Sequence, residues 1–259
     1  MDVNATRLKV FITGASSGIG LALAEEYLRR GAAIGLVARR AEALTAFAAR
    51  FPSASISIYP ADVRDAAALA RAAAHFVALH GMVDVVIANA GVSRGALTGH
   101  GDLDTFREVM DINYFGMVAT FEPFVADMVG RRGGTLVGIA SVAGVRGLPG
   151  SGAYSASKSA ASKYLEALRV EMRPKGVSVV TIAPGYIRTA MTEHNPYPMP
   201  FLMNADTFAR KTADAIGRKV RFATFPWQMR VAGTLLHALP RWLYDRVFER
   251  APRKPRVPD

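Results

Sequence analysis

LKVFITGASSGIGLALAEEYLRRG, residues 8–31, is the stretch whose reading decides the fold. Residues 8–12 are a short, mostly apolar run that stops at Thr13-Gly14, too brief for a stable helix and suited to a buried strand. ASSGIG follows as a glycine turn. LALAEEYLRRG then places apolar residues at helical spacing until Arg29, Arg30 and Gly31 mark a helix end. Strand, glycine turn and helix in this order open a βαβ unit, because parallel strands need a long crossover between them. Gly14, Gly18 and Gly20 are spaced G-x-x-x-G-x-G, which differs from the G-x-G-x-x-G dinucleotide fingerprint. The physical logic is shared: glycines let the backbone approach a pyrophosphate, and the helix N-terminus presents N–H groups and the positive end of its dipole.

Outward from this unit the same alternation continues. Strands are expected at 33–38 (AIGLVA), 54–59 (ASISIY), 84–88 (DVVIA), 135–140 (TLVGIA), 177–183 (VSVVTIA) and 220–225 (VRFATF). Helices are expected at 41–50, from an Asp65 N-cap to His80, as one long helix over 104–129, and over 153–173. Strands alternating with helices predict an α/β, Rossmann-like, doubly wound sheet that is mostly parallel.

Composition narrows the function. A chain of 259 residues with 51% hydrophobic content can bury one large core, so one domain is expected over 1–226 with a basic helical extension over 227–259. The absence of cysteine excludes disulfides and thiolate chemistry and fits an intracellular protein. The N-terminus, MDVNATRLKVFITG, enters a strand within ten residues and leaves no room for a signal peptide, and no run of eighteen apolar residues exists. A cytoplasmic location is the expectation. Net charge is +11, and twelve Lys/Arg against five Asp/Glu from Asp206 onward put +7 of it at the C-terminal end. Nucleic-acid binding is not expected, since no such motif accompanies the charge. The five histidines show no zinc-ligand spacing, and no metal is expected.

Chemistry concentrates in SVAGVRGLPGSGAYSASK, residues 141–158. Tyr154 and Lys158 are four apart, so on a helix they share a face. A tyrosine of ordinary pKa ~10 shuttles protons poorly at neutral pH; lowering it by about three units takes roughly 4 kcal/mol, of the sign a nearby cation supplies. Ser141 can polarise a carbonyl. Where an NAD site usually carries an acid, this chain has Ala38 followed by Arg39 and Arg40, whose guanidinium groups suit a 2′-phosphate and favour NADP, or are simply a solvated helix start. Asp62, past a strand end, can accept from an adenine amino group, or is an ordinary loop aspartate. Asn89, Ala90 and Gly91 close a strand with small residues that leave room for a cofactor. Asn113 is polar among apolar neighbours and must be satisfied if buried.

TGASSGIG (13–20), NAG (89–91), Asn113, Ser141, Tyr154-x-x-x-Lys158 and PGYIRT (184–189) together closely resemble the short-chain dehydrogenase/reductase family, over residues 8 to about 190 and in order. The resemblance implies a seven-stranded sheet and an NADP(H)-dependent oxidoreductase that interconverts a carbonyl and an alcohol. It implies that Ser141 orients the carbonyl, Tyr154 is the general acid or base, Lys158 binds the nicotinamide ribose and lowers the tyrosine pKa, and Asn113 holds a water of a proton relay. Thr13, Gly14, Ser16, Ser17, Gly18, Ile19 and Gly20 would border the pyrophosphate, Asp62 and Val63 the adenine, and Pro184, Gly185, Ile187 and Thr189 the nicotinamide side. One departure is Gly138-Ile139-Ala140 before Ser141, where a more polar Asn-Ile-Ser is expected; it puts only local hydrogen bonding in doubt. The competing reading is a catalytically silent dinucleotide sensor or scaffold, against which the intact Ser141/Tyr154/Lys158 set argues.

The loop over 191–203, MTEHNPYPMPFLM, is rich in Pro, Met and aromatics and suits a hydrophobic substrate. Residues 227–250 read as helical with Pro240 interrupting, carry both tryptophans, Trp227 and Trp242, and lead to Arg253, Lys254 and Arg256. Two readings stand: homodimer or homotetramer packing with a solvated basic tail, or peripheral contact with an anionic inner membrane face.

Overall fold

The computed structural model describes residues 7–193, 195, 198–251 and 253–256. The reading of the N-terminus falls partly on residues 1–6, and those of the substrate loop and basic tail fall partly on 194, 196, 197, 252 and 257–259; these lie outside the described residues. The opening unit is β1 (Lys9–Thr13), the glycine turn and α1 (Gly18–Arg29). Next come β2 (Ala33–Ala38), α2 (Ala41–Ala49), β3 (Ile56–Pro60), α3 (Ala66–His80) and β4 (Val85–Ala88). The chain continues through α4 (Leu103–Met110), α5 (Gly116–Gly130), β5 (Thr135–Ile139), α6 (Gly152–Met172), β6 (Ser178–Pro184), β7 (Ile187–Arg188) and α7 (Ala190–Glu193). It closes with β8 (Met203–Asn204), α8 (Ala205–Gly217), β9 (Phe222–Phe225), α9 (Trp227–Ala238) and α10 (Arg241–Phe248).

Seven strands form one sheet in the order β3-β2-β1-β4-β5-β6-β9, with every pairing parallel, while β7 and β8 make a separate short pair. The strands read as unbroken apolar runs because both sheet faces are covered. Along β1 and β4, Val10, Ile12, Val85 and Ile87 pack into the layer of α1, α2 and α8; Phe11, Val86 and Ala88 point the other way into the layer of α3, α5 and α6. Phe11 is fully buried there, 5.0 Å from Phe124 and edge-on to Phe76 at 5.8 Å. Burying each such ring contributes roughly 1.5–3 kcal/mol.

Local hydrogen bonds explain where elements depart from expectation. β3 starts at Ile56 rather than 54 because Ala54 is spent in a turn, its amide donating to the Phe51 carbonyl (3.0 Å). β9 starts at Phe222 because the Val220 amide closes the end of α8 on the Ala215 carbonyl (3.0 Å). Asp65 caps α3 as expected, accepting from the Ala68 amide at 2.9 Å. The single helix expected over 104–129 is instead interrupted by a π-helical turn, Asp111–Phe115, between α4 and α5. Such turns reposition side chains within a helix, and this one carries Asn113.

The helical run expected over 227–250 is split around Pro240, which precedes α10. Arg146, in the loop after β5, anchors both halves. Its Nη1 donates to the Leu236 (2.9 Å) and Leu239 (2.7 Å) carbonyls, its guanidinium lies 4.2 Å from the Tyr244 ring centroid, and the Tyr244 hydroxyl donates to the Gly147 carbonyl. Among the described residues, no helix is long and apolar enough to cross a membrane.

Candidate active site

The strand order reverses direction between β1 and β4, and open α/β sheets bind ligands at the carboxyl ends beside such a switch point. A cavity of about 340 Å³ lies there. The structure brings to its wall Gly14, Ser16, Ser17, Gly18 and Ile19 from the glycine turn, Arg39 and Arg40 after β2, and Asp62 and Val63 after β3. Asn89, Ala90 and Gly91 follow β4, Ser141, Tyr154 and Lys158 form the floor, and Pro184, Gly185, Ile187 and Thr189 close the far side. Three of the expected residues, Thr13, Gly20 and Asn113, stand one layer behind this wall. Val92 and Ile112 also line the cavity and were not singled out from the sequence, while Met191 and Thr192 bring in the start of the 191–203 loop.

The glycine turn fits a dinucleotide. Gly14 and Gly18 adopt φ +69° and +57°, a region that disfavours side chains, and a Cβ on Gly14 would stand 2.7 Å from the Ala90 Cα. Ser17 precedes α1 without a side-chain cap, so the first-turn amides face the cavity uncovered by it. Behind them, Asn89 Nδ2 donates to the carbonyls of Thr13 (3.0 Å) and Gly14 (3.2 Å), while the buried Thr13 hydroxyl accepts from the Asn89 (3.3 Å) and Ala90 (3.4 Å) amides. Thr13 therefore ties β1 to β4. Gly20 is required for packing, because its Cβ would stand 2.3 Å from the Gly14 carbonyl oxygen.

At the end beyond β2, Arg40 Nη2 donates to the Ser16 hydroxyl (3.1 Å), and Arg39 stands 4.0 Å from Asp62. Arg64 is the nearer partner of Asp62, with Nε and Nη2 at 3.0 and 2.6 Å. This fork, with the Arg64 amide, holds the Asp62 carboxyl below the usual range. A cation two residues from an acid was a readable sign of that pairing.

At the reacting end, Ser141 stands two residues after β5 and its Oγ accepts from the Ala143 amide at 3.1 Å. Tyr154, in the first turn of α6, shares a hydrogen bond with Ser141. Burial pushes the Tyr154 phenol above its ordinary pKa, and the Ser141 hydrogen bond works against that push. Lys158 lies one turn on, its Nζ 5.9 Å from the Tyr154 ring centroid, and donates to the Ile139 carbonyl at 2.8 Å. Burial lowers its pKa to about 8. The phenol's balance is thus set by burial and Ser141, and it is held protonated at neutral pH.

Asn113 is wholly buried and fully engaged. Its Oδ1 accepts from the Val92 amide (2.8 Å), and its Nδ2 donates to the Val92 carbonyl (2.9 Å) and the Ser157 hydroxyl (2.9 Å). It therefore fixes the loop after β4 against α6. Asn113→Ala removes all three bonds and is expected to cost about 2–4 kcal/mol, lowering Tm by roughly 5–15 °C. Calorimetry measures this; a drop below about 2 °C would mean the contacts do not brace the site.

Comparison with known proteins agrees with this geometry. A family model described as short chain dehydrogenase matches residues 8–198. An "Uncharacterized oxidoreductase" of Myxococcus xanthus is 37% identical over 241 residues, covering 92% of this chain and 95% of the relative. A solved short chain dehydrogenase from Burkholderia cenocepacia in complex with NADP superposes with a TM-score of 0.81 at 25% identity, over 95% of this chain and 98% of that one. At 23% identity, a short chain dehydrogenase/reductase from Burkholderia phymatum in complex with NAD shares the fold, with a TM-score of 0.82 over 97% and 98% of the two chains.

Proposed function

The chain belongs to the short-chain dehydrogenase/reductase family, and from that premise we propose that it is an NADP(H)-dependent oxidoreductase interconverting an apolar ketone or aldehyde and its alcohol. The observation that carries this reading is the meeting of Ser141, Tyr154 and Lys158 on the wall of the same cavity as the glycine turn and the arginine pair.

The cofactor, when bound, supplies the hydride. The turn over 14–19 and the N-terminus of α1 would hold the pyrophosphate, Arg39 and Arg40 the 2′-phosphate, and Asp62 and Val63 the adenine. Lys158 would hold the nicotinamide ribose, and Ile187, Thr189, Pro184 and Gly185 the nicotinamide side. Ser141 and Tyr154 would both donate to the carbonyl oxygen, polarising it and fixing its position. Tyr154 then gives its proton to that oxygen as negative charge develops on it. The Lys158 ammonium stabilises the phenolate left behind. Val92, Ile112 and Met191 give the cavity an apolar wall that keeps water from the transferring proton and suits an apolar substrate. The test is NADPH oxidation against a panel of apolar ketones and aldehydes; tight NADPH binding with no turnover of any of them would favour a sensor or scaffold.

We also propose peripheral membrane contact through α9 and α10, which bury no residue fully. Trp227 and Trp242 are 67% and 70% exposed, and Arg230 and Arg241 are exposed on the same helices. Aromatic rings with adjacent cations suit peripheral contact with an anionic membrane, where each basic residue contributes about 1 kcal/mol. Trp227→Ser with Trp242→Ser is expected to reduce co-sedimentation with phosphatidylserine vesicles at least about fivefold, and high salt to act in the same direction. Unchanged sedimentation, with a smaller particle by size-exclusion chromatography, would assign this face to contact between subunits.

A further inference from the structure

The basic tail does not end in solvent. Arg256 forms a two-pronged ion pair with Asp102, Nε to Oδ2 at 2.8 Å and Nη2 to Oδ1 at 2.6 Å, and also donates to the His100 carbonyl at 2.9 Å. The Asp102 side chain is only 12% exposed and takes a further bond from the Leu97 amide. The preceding residues are seated as closely. A Cβ on Gly95 would stand 2.2 Å from the Pro255 carbonyl oxygen, and one on Gly150 would stand 2.8 Å from the Lys254 amide nitrogen. The segment 253–256 is thus a strap wedged between the loop after β4 and the turn that precedes α6, the two segments that flank Tyr154.

The strap delivers one ammonium group to the reacting end. Lys254 Nζ donates to the Ser93 hydroxyl and lies 6.0 Å from the Tyr154 ring centroid, so two lysines flank that ring, with Lys158 Nζ at 5.9 Å. Their situations differ. Lys158 is turned to the Ile139 carbonyl. Lys254 is half-buried, and among the described residues no carboxylate pairs with it; Asp102, the acid against the strap, is taken by Arg256. Partial burial already lowers the Lys254 pKa. A partly desolvated cation without a counter-ion is costly to hold, and an arriving anion gains a charge-assisted hydrogen bond there.

We propose that Lys254 is a specificity-determining residue that binds the carboxylate of an otherwise apolar oxo or hydroxy acid whose reacting carbon lies at Ser141 and Tyr154. This rests on the oxidoreductase reading and narrows its substrate class. The apolar body of such a molecule would meet the Val92 and Met191 wall, and its acid group the strap.

The test is calorimetric and needs no turnover. The full chain, saturated with NADP⁺, is titrated with 4-phenylbutanoate and with 4-phenylbutanamide, which differ in charge and little else. The acid is expected to bind at least about tenfold tighter. Lys254→Met should erase that difference, Lys254→Arg should restore most of it, and Arg256→Ala, which unpins the strap, should shrink it. Equal affinity for acid and amide in the unaltered chain, no binding of the acid, or an equal loss of both in Lys254→Met would overturn the proposal. The oxidoreductase reading fails separately. Turnover of neutral ketones without any preference for the acid keeps that reading and removes the anion site, whereas acid preference with no turnover of any carbonyl does the reverse.

Discussion

Tyr154→Phe is expected to lower the proposed NADPH-dependent carbonyl reduction by about 10³-fold and to leave NADPH affinity within about twofold of that of the unaltered chain. The substitution removes one oxygen and keeps the ring. That ring is held by α6 and flanked by the Lys158 and Lys254 ammonium groups, so its placement does not depend on the hydroxyl. What is lost is the proton. Lys158 is directed at the Ile139 carbonyl, and Ser141, an alcohol of much higher pKa, cannot take the role at neutral pH. A 10³-fold loss corresponds to about 4 kcal/mol of barrier, within the range for a positioned acid. Burial holds the phenol above its ordinary pKa, which keeps it protonated and ready to donate. Steady-state rates with a fluorescence titration of NADPH measure both quantities. A variant retaining a tenth of the rate would exclude Tyr154 as the proton donor.

Much of this was readable from the sequence because the deciding interactions are local or periodic. The strands β1, β2, β4, β5 and β6 are buried on both faces, so their apolar runs are nearly unbroken, and Asp65 caps α3 through an amide three residues on. Ser141, Tyr154 and Lys158 were picked out as candidates through a spacing of four on one helix and a serine at a strand end. What escaped depends on partners distant in the chain. The π-helical turn is accompanied by the bonds of Asn113 to Val92, twenty-one positions earlier, and to Ser157, forty-four positions later. Nothing in MDINYFGMV itself announces either partner. Lys254 was grouped with Arg253 and Arg256 as basic surface because composition gives charge without direction; its contact with Ser93 spans 161 positions. Arg64 escaped for a different reason: the spacing from the glycines points to Arg39 and Arg40, while Arg64 acts only through its partner Asp62.

The arginine pair carries the second large effect. Replacing Arg39 and Arg40 together by Ala is expected to weaken NADPH binding about 10²–10³-fold and NADH binding no more than about threefold. Both are exposed and border the cavity beyond β2, with Arg40 resting on the Ser16 hydroxyl at 3.1 Å and Arg39 4.0 Å from Asp62. Neither is tied into the core, so their removal spares the fold. Asp62 is the feature that could oppose a phosphate, and Arg64 largely answers it through a fork at 3.0 and 2.6 Å, leaving Arg39 available to an incoming anion. Charge-assisted hydrogen bonds are worth about 1.5–3 kcal/mol each, so two lost contacts give a few kcal/mol, within the stated range. NADH lacks the 2′-phosphate and has no such contacts to lose. Raising salt should weaken NADPH binding to the unaltered chain more than binding to the double variant, because exposed charge pairs are screened. Equal losses for the two cofactors would show that the arginines shape the pocket without reading the phosphate.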